Sequence, residues 1–288
     1  MDNNRDKIIF FGNGPLANYS LKILEQSFEI VFHARSKADL DEVRRLKSEQ
    51  PELHGVLASF GVLIPESALR MFEPEGILNI HPSLLPMYRG ASPIESAILA
   101  GDDDFSVSVM KLAKKMDAGP IYWQTTLNGL PLDKDVIYRS LAEAGAKWIC
   151  ENLAKLPTPV EQDETEATFC GKMDKSMSML TPDVDSADQT IRKIVAYQGY
   201  PKPKYALQGV NCIILSAHAL KTGEKAILEL KCADGRSVAL DRVQPEGRKA
   251  MDAKSFVNGY KKWGYFSLLN MLQIRMFLMI EFPNSFSE

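Results

Sequence analysis

Asn79, His81 and Asp117 are the residues whose types and spacing suit chemistry. Asn79 and His81 stand two apart in Ile77-Leu78-Asn79-Ile80-His81, an apolar run that predicts a strand. Side chains at i and i+2 of a strand project from one face, so a carboxamide and an imidazole share the strand's end. Acyl transfer to an amine needs N–H donors for the oxyanion of the tetrahedral intermediate. It also needs an acceptor for the nucleophile's proton and a proton for the leaving nitrogen. The amide and the imidazole supply donors, while a carboxylate orients or charges the imidazole and relays protons through water. Asp117 is the candidate carboxylate, in the turn Met116-Asp117-Ala118-Gly119-Pro120 after a strand predicted for Phe105 to Leu112. Residue type alone leaves plainer uses open: a structural strand-end histidine and a turn aspartate.

The elements that must position these side chains read as an alternating α/β unit. Lys7 to Phe11 is a short apolar strand leading into the Gly12-Asn13-Gly14-Pro15 turn and a helix with Leu16, Tyr19, Leu21, Ile23 and Leu24. Glu29 to His33 predicts a second strand, Ala38 to Glu49 a charged helix, and Val56 to Ser59 a third strand. That alternation implies parallel strands with right-handed crossovers. A helix over Pro93 to Leu99, a strand over Ile121 to Thr125 and a long helix over Val136 to Leu153 follow. Leu156 to Ala167 reads as an exposed connection. The Gly12-Asn13-Gly14 turn is no dinucleotide fingerprint: a third glycine is missing, and the second strand ends in His33-Ala34-Arg35 rather than in an acid. Its expected role is to line a ligand crevice at a strand's carboxyl end.

Beyond residue 200 the character changes. Val210 to Ala219, Lys225 to Leu230 and Ser237 to Leu240 are short strand candidates punctuated by Gly223 and Asp234-Gly235, the pattern of a small OB-like β-barrel. The expected division is 1–180 as an α/β, Rossmann-like, mostly parallel catalytic domain. Residues 181–200 are the linker and joining helix, 201–264 the β-barrel domain, and 265–288 a tail of unknown role. Tyr265 to Phe282 is too interrupted by polar residues for a membrane span and suggests a docked helix. The polar start reads as neither signal nor transit peptide. The four cysteines form no CxxC pair and lie near no histidine at zinc-binding spacing, the usage of a reducing cytosol. The net charge of −3 hides an asymmetry. Residues 1–189 carry 19 Lys and Arg against 29 Asp and Glu, whereas residues 190–264 carry 14 against 6. A basic segment on an acidic body suggests a surface for a polyanion.

The run from Asn79 to Gly90 (Asn-Ile-His-Pro-Ser-Leu-Leu-Pro-Met-Tyr-Arg-Gly), with Ser92-Pro93-Ile94 and Gly101-Asp102, closely resembles the signature of the folate-dependent formyltransferases. Met116 to Pro120 resembles that family's second signature. The resemblance implies that Asn79, His81 and Asp117 are catalytic and that Ser83, Leu84, Leu85 and Pro86 contact folate. It further implies 10-formyltetrahydrofolate as the donor and no metal.

Three later segments resemble the members that act on methionyl-tRNA: Gln162-Asp163-Glu164 with Ala167-Thr168-Phe169, Ile191 to Tyr197 with Tyr200-Pro201, and Gln244 to Met251. The resemblance covers residues 7–263. It implies a cytoplasmic, monomeric enzyme that forms formylmethionyl-tRNA for translation initiation, with initiator methionyl-tRNA as its partner and no membrane. The basic segment fits that partner, since phosphates reward Lys and Arg, and Lys202, Lys204, Arg248 and Lys249 are candidate contacts. There are departures. The long basic loop usual after the second strand of the tRNA-acting members is missing, because Phe32-His33-Ala34-Arg35-Ser36 runs almost directly into a helix. Phe60 replaces a common Tyr, Phe105-Ser106 a usual Thr-Gly, and Lys114-Lys115 a stretch that is normally acidic or glycine-containing. The missing loop favours an alternative acceptor, an amino-sugar nucleotide formylated from the same folate donor.

Overall fold

The computed structural model describes residues 5–260. It falls into two compact units that divide between Met173 and Asp174.

The first unit is built on a six-stranded sheet in the order β2-β1-β3-β4-β6-β7. Its strands are β1 (Lys7–Phe11), β2 (Glu29–Ala34), β3 (His54–Leu57), β4 (Ile77–His81), β6 (Phe105–Lys111) and β7 (Ile121–Leu127). β5 (Arg89–Gly90) lies outside this sheet and pairs in parallel with β8 (Phe169–Cys170). The helices are α1 (Gly14–Ser27), α2 (Leu40–Glu49), α3 (Glu66–Leu69), α4 (Pro93–Ala100) and α5 (Lys134–Asn152). The first four strands are parallel, as the alternating pattern predicts, and β1 is apolar and buried from Ile8 to Phe11 because both faces of such a sheet are covered. β4 and β6, and β6 and β7, are antiparallel, so the sheet is mixed at that end. Asp133 caps α5 by accepting from the amides of Asp135 and Val136.

Two glycines bring elements close enough to shape the sheet's carboxyl edge. Gly12 sits at φ +152°, and a Cβ there would lie 2.0 Å from the Ala58 carbonyl oxygen. Gly145 lets α5 approach β4, since a Cβ would meet Ile80 Cγ2 at 2.7 Å. Ile80 lies between Asn79 and His81, so α5 backs the strand that carries them.

The second unit has a curled antiparallel sheet, OB-like in composition and order: β11-β12-β10-β9, with β13 also on β12. Its elements are α6 (Ala187–Ala196), β9 (Lys204–Leu207), β10 (Val210–Ala219), β11 (Glu229–Lys231), β12 (Ser237–Pro245), β13 (Met251–Asp252) and α7 (Ala253–Tyr260). Bulges on either side of Ser216 sharpen the twist of β10, which is what a small curled sheet needs. The core gathers Ile194 from α6, Ile214, Leu230, Leu240 and Val243 from the sheet, and Phe256 from α7. Leu180 belongs to it too, and its amide donates to the Lys204 carbonyl. Residues 174–180 therefore fold with the second unit, although the sequence places them with the first. The strand expected over Lys225 to Leu230 shortens to Glu229–Lys231, because the chain bends at Ile227 and Leu228 before it joins the ladder. The 265–288 tail lies outside the described residues.

Candidate active site

β4 ends at the site. Asn79 and His81 are each only 5% exposed. Among the described residues the Asn79 side-chain amide has no hydrogen-bond partner, yet its polar atoms are not sealed from solvent. A carboxamide so placed keeps its N–H groups open to a ligand's oxygen. The His81 ring is held at one nitrogen and faces a carboxylate with the other. Nε2 donates to the Tyr88 carbonyl at 3.1 Å, and Nδ1 faces Asp117 Oδ1 at 3.7 Å. Because a carbonyl only accepts, the proton of a neutral ring resides on Nε2.

Strand register explains the next layer. His81 pairs with Ser108 on β6, and Ser108 pairs with Gln124 on β7, so the three form one row across the sheet. Opposite residues in antiparallel strands show their side chains on the same face. The fully buried Ser108 hydroxyl donates to the Ser83 carbonyl at 2.6 Å and accepts from the Leu85 amide at 3.1 Å and from Gln124 Nε2 at 2.9 Å. Gln124 Nε2 also donates to the Leu85 carbonyl at 2.7 Å. Ser83 Oγ donates to the Met87 carbonyl at 2.7 Å. The Ser83–Pro86 loop is thus tied to the sheet beside His81. Neither Ser108 nor Gln124 stands out in the sequence; the only signal is a serine alternating with valines in β6.

Asp117 reaches the site from the opposite side, in a turn that puts it at φ +49°. Its Oδ2 accepts from the Gly90 amide at 2.9 Å, which leaves Oδ1 for His81. Gln162 Nε2 donates to the backbone carbonyls of Asp117 at 2.9 Å and Gly119 at 2.7 Å. Gln162 Oε1 accepts from Arg89 Nε at 3.0 Å and Nη2 at 2.8 Å. Arg89 is 0% exposed, and its Nη1 pairs with Glu164 at 3.0 Å. The connection over Leu156 to Ala167 is therefore more than an exposed loop, and it leads directly into Thr168, whose hydroxyl accepts from the Tyr88 amide. Tyr88 donates its hydroxyl to Asp102 at 2.9 Å, and burial, reinforced by that carboxylate, pushes the phenol up to about 12. Among the described residues no group of three or more His, Cys, Asp and Glu is placed to hold a metal ion, and no helix is long and apolar enough to cross a membrane.

Residues 13–153 match the formyl transferase family model and residues 184–261 match that of the formyl transferase C-terminal domain. The chain belongs to the formyl transferase family. Among its relatives, the methionyl-tRNA formyltransferase of Thermus thermophilus is 35% identical over 231 residues, 75% of this chain and 73% of that one. The fold is shared with the methionyl-tRNA formyltransferase from Clostridium thermocellum, with a TM-score of 0.63 at 20% identity over 84% of this chain and 98% of the other. HypX from Aquifex aeolicus in complex with tetrahydrofolic acid aligns with a TM-score of 0.66 at 15% identity, over 88% of this chain and 47% of that one.

The C-terminal formyl transferase domain holds the four basic candidates. Lys204 on β9 pairs with Ile213 on β10, which pairs with Gln244 on β12. The Gln244 amide donates to the Arg248 carbonyl, and the Lys202 amide donates to that of Tyr197 just upstream of β9. Lys202, Lys204, Arg248 and Lys249 are all exposed and gather toward one end of the sheet. In the first unit the departure after β2 is real: only Arg35 and Ser36 separate it from the helical turn that precedes α2.

Proposed function

We propose that this chain transfers a formyl group from 10-formyltetrahydrofolate to the α-amine of initiator methionyl-tRNA, with Asn79, His81 and Asp117 as its catalytic residues. The observation that carries the reading is the unpartnered Asn79 amide beside His81, with the open oxygen of Asp117 across from the ring. The substrate follows from the relatives at about a third identity, which are methionyl-tRNA formyltransferases over three quarters of this chain. A folate donor fits the family and the tetrahydrofolic acid held by HypX.

In this reading the α-amine attacks the formyl carbon, and the carbonyl electrons move onto oxygen. Asn79 and protonated His81 donate to that oxyanion. Asp117 balances the imidazolium and takes the amine's proton through water at Oδ1. Collapse of the intermediate breaks the bond to the folate nitrogen, which receives a proton by the same route. The Ser83–Pro86 loop holds the folate, and Lys202, Lys204, Arg248 and Lys249 meet tRNA phosphates. The enzyme works as a cytoplasmic monomer, and no metal enters the scheme.

The test is formylation of Met-tRNA with 10-formyltetrahydrofolate, expected to yield formyl-Met-tRNA. A preparation that binds tetrahydrofolate but makes none of that product sinks the tRNA assignment. The short passage after β2 favours an amino-sugar nucleotide as the second acceptor, and formylation of that substrate alone would put it first.

A further inference from the structure

Asp117 is gripped from two distant points of the chain, Gly90 and Gln162. Its Oδ2 is received by the Gly90 amide, and its backbone carbonyl by Gln162. Gln162 is in turn held through two N–H groups of Arg89, the residue beside Gly90. Nothing in acyl-transfer chemistry calls for Gln162 or Arg89, and a fully buried guanidinium is expensive to desolvate. Its half-exposed partner Glu164 meets the charge, and Lys115 also pairs with that carboxylate. The Arg89 donors aimed at Gln162 leave only one orientation for the amide: its oxygen toward Arg89 and its nitrogen toward the Asp117 turn. That nitrogen spends both hydrogens on the carbonyls of Asp117 and Gly119. The turn is thereby held in a left-handed conformation that an aspartate adopts reluctantly.

We infer that Gln162, oriented by Arg89, is a positioning residue that sets where the Asp117 carboxylate stands relative to His81. The inference rests on Asp117 and His81 being catalytic. Gln162 touches neither the ring nor any reacting atom; it acts through the turn's backbone. Losing its two hydrogen bonds frees the turn to relax, and a carboxylate displaced by about 1 Å costs on the order of a hundredfold in rate.

The experiment compares Gln162→Leu, Gln162→Glu, Asp117→Ala and the Gln162→Leu/Asp117→Ala double variant in Met-tRNA formylation, with tetrahydrofolate as the binding probe. Gln162→Glu guards against misfolding, because a carboxylate keeps the Arg89 pairing but offers no N–H to the turn. Both single Gln162 variants should lose about 10- to 100-fold in kcat. Their KM and tetrahydrofolate Kd should stay within about twofold of the parent. On the Asp117→Ala background, Gln162→Leu should add less than about twofold, because two residues acting through one carboxylate are not additive. Near-parental kcat in Gln162→Glu, alongside a crippled Asp117→Ala, overturns the positioning role and leaves the catalytic reading standing. A full multiplicative loss in the double variant also overturns it, by showing a structural contribution independent of Asp117. An active Asp117→Ala removes the reading beneath.

Discussion

The two units handle charge and polarity in opposite ways. In the first, the polar groups that support His81 and Asp117, the open Asn79 amide apart, are matched partner by partner: Ser108 with three bonds, the Gln162 amide with both of its hydrogens, and Arg89 with a carboxamide and a carboxylate. In the second, the basic side chains at the end of the β9–β10–β12 sheet stand in solvent. A buried network works through geometry and is indifferent to salt, whereas an exposed cluster works through its field and is screened within a Debye length. The contrast suits a division of labour, with chemistry in one unit and the hold on a polyanion in the other.

The sharpest way to break that contrast is to change charge without shape. Asp117→Asn keeps an oxygen for the Gly90 amide but removes the anion, so kcat/KM should fall by roughly 10²- to 10⁴-fold while tetrahydrofolate still binds. The loss should be equal at low and high salt. A deficit that disappears as ionic strength rises would mean Asp117 acts as part of a diffuse field. Next in size, Ser108→Ala strands the Ser83 carbonyl and the Leu85 amide, and denaturant titration should register about 1–3 kcal/mol of lost stability. Weaker tetrahydrofolate binding should accompany it; unchanged affinity would detach the Ser83–Pro86 loop from the folate. Smallest is the paired substitution Lys204→Gln with Arg248→Gln. It should flatten the log–log salt dependence of tRNA binding by about one unit per residue removed. A slope identical to the parent's would take these side chains off the tRNA surface.

The sequence exposes the parts of this arrangement that repeat with a local period. The two-residue spacing puts Asn79 and His81 on one face without any knowledge of neighbours. The parallel order of the first strands follows from the helices between them. Strand direction beyond β4 is different, because nothing within β6 or β7 specifies which way each runs; their antiparallel pairing follows from the connections and the packing. Ser108 and Gln124 matter only through register, a relation between strands that no single segment contains. Gln162 and Arg89 sit inside stretches that resemble the family, yet their link is a meeting of residues 73 apart. β9 is hidden because Pro201, Pro203 and Gly209 crowd a four-residue strand with turn-like composition. Asp117 is legible as a candidate from its place in the turn after β6, but only the resemblance sets it apart, since an aspartate before Ala-Gly looks like any other turn residue.

That 73-residue span sets an order of events during synthesis. A ribosome adds β1 to β7 and all of α5 before it reaches Gln162, so the sheet and His81 can be in place while the Asp117 turn still lacks its clasp. The pairing of β5 with β8 comes later still, with Thr168 closing on Tyr88 across 80 residues. Bringing together ends so far apart costs only slightly more entropy than a loop half as long, but it has to wait for the chain to arrive. A nascent chain halted between α5 and Gln162 would therefore carry the imidazole without its clasped carboxylate, and under the proposed mechanism competence would wait for a returning segment that takes no part in the reaction.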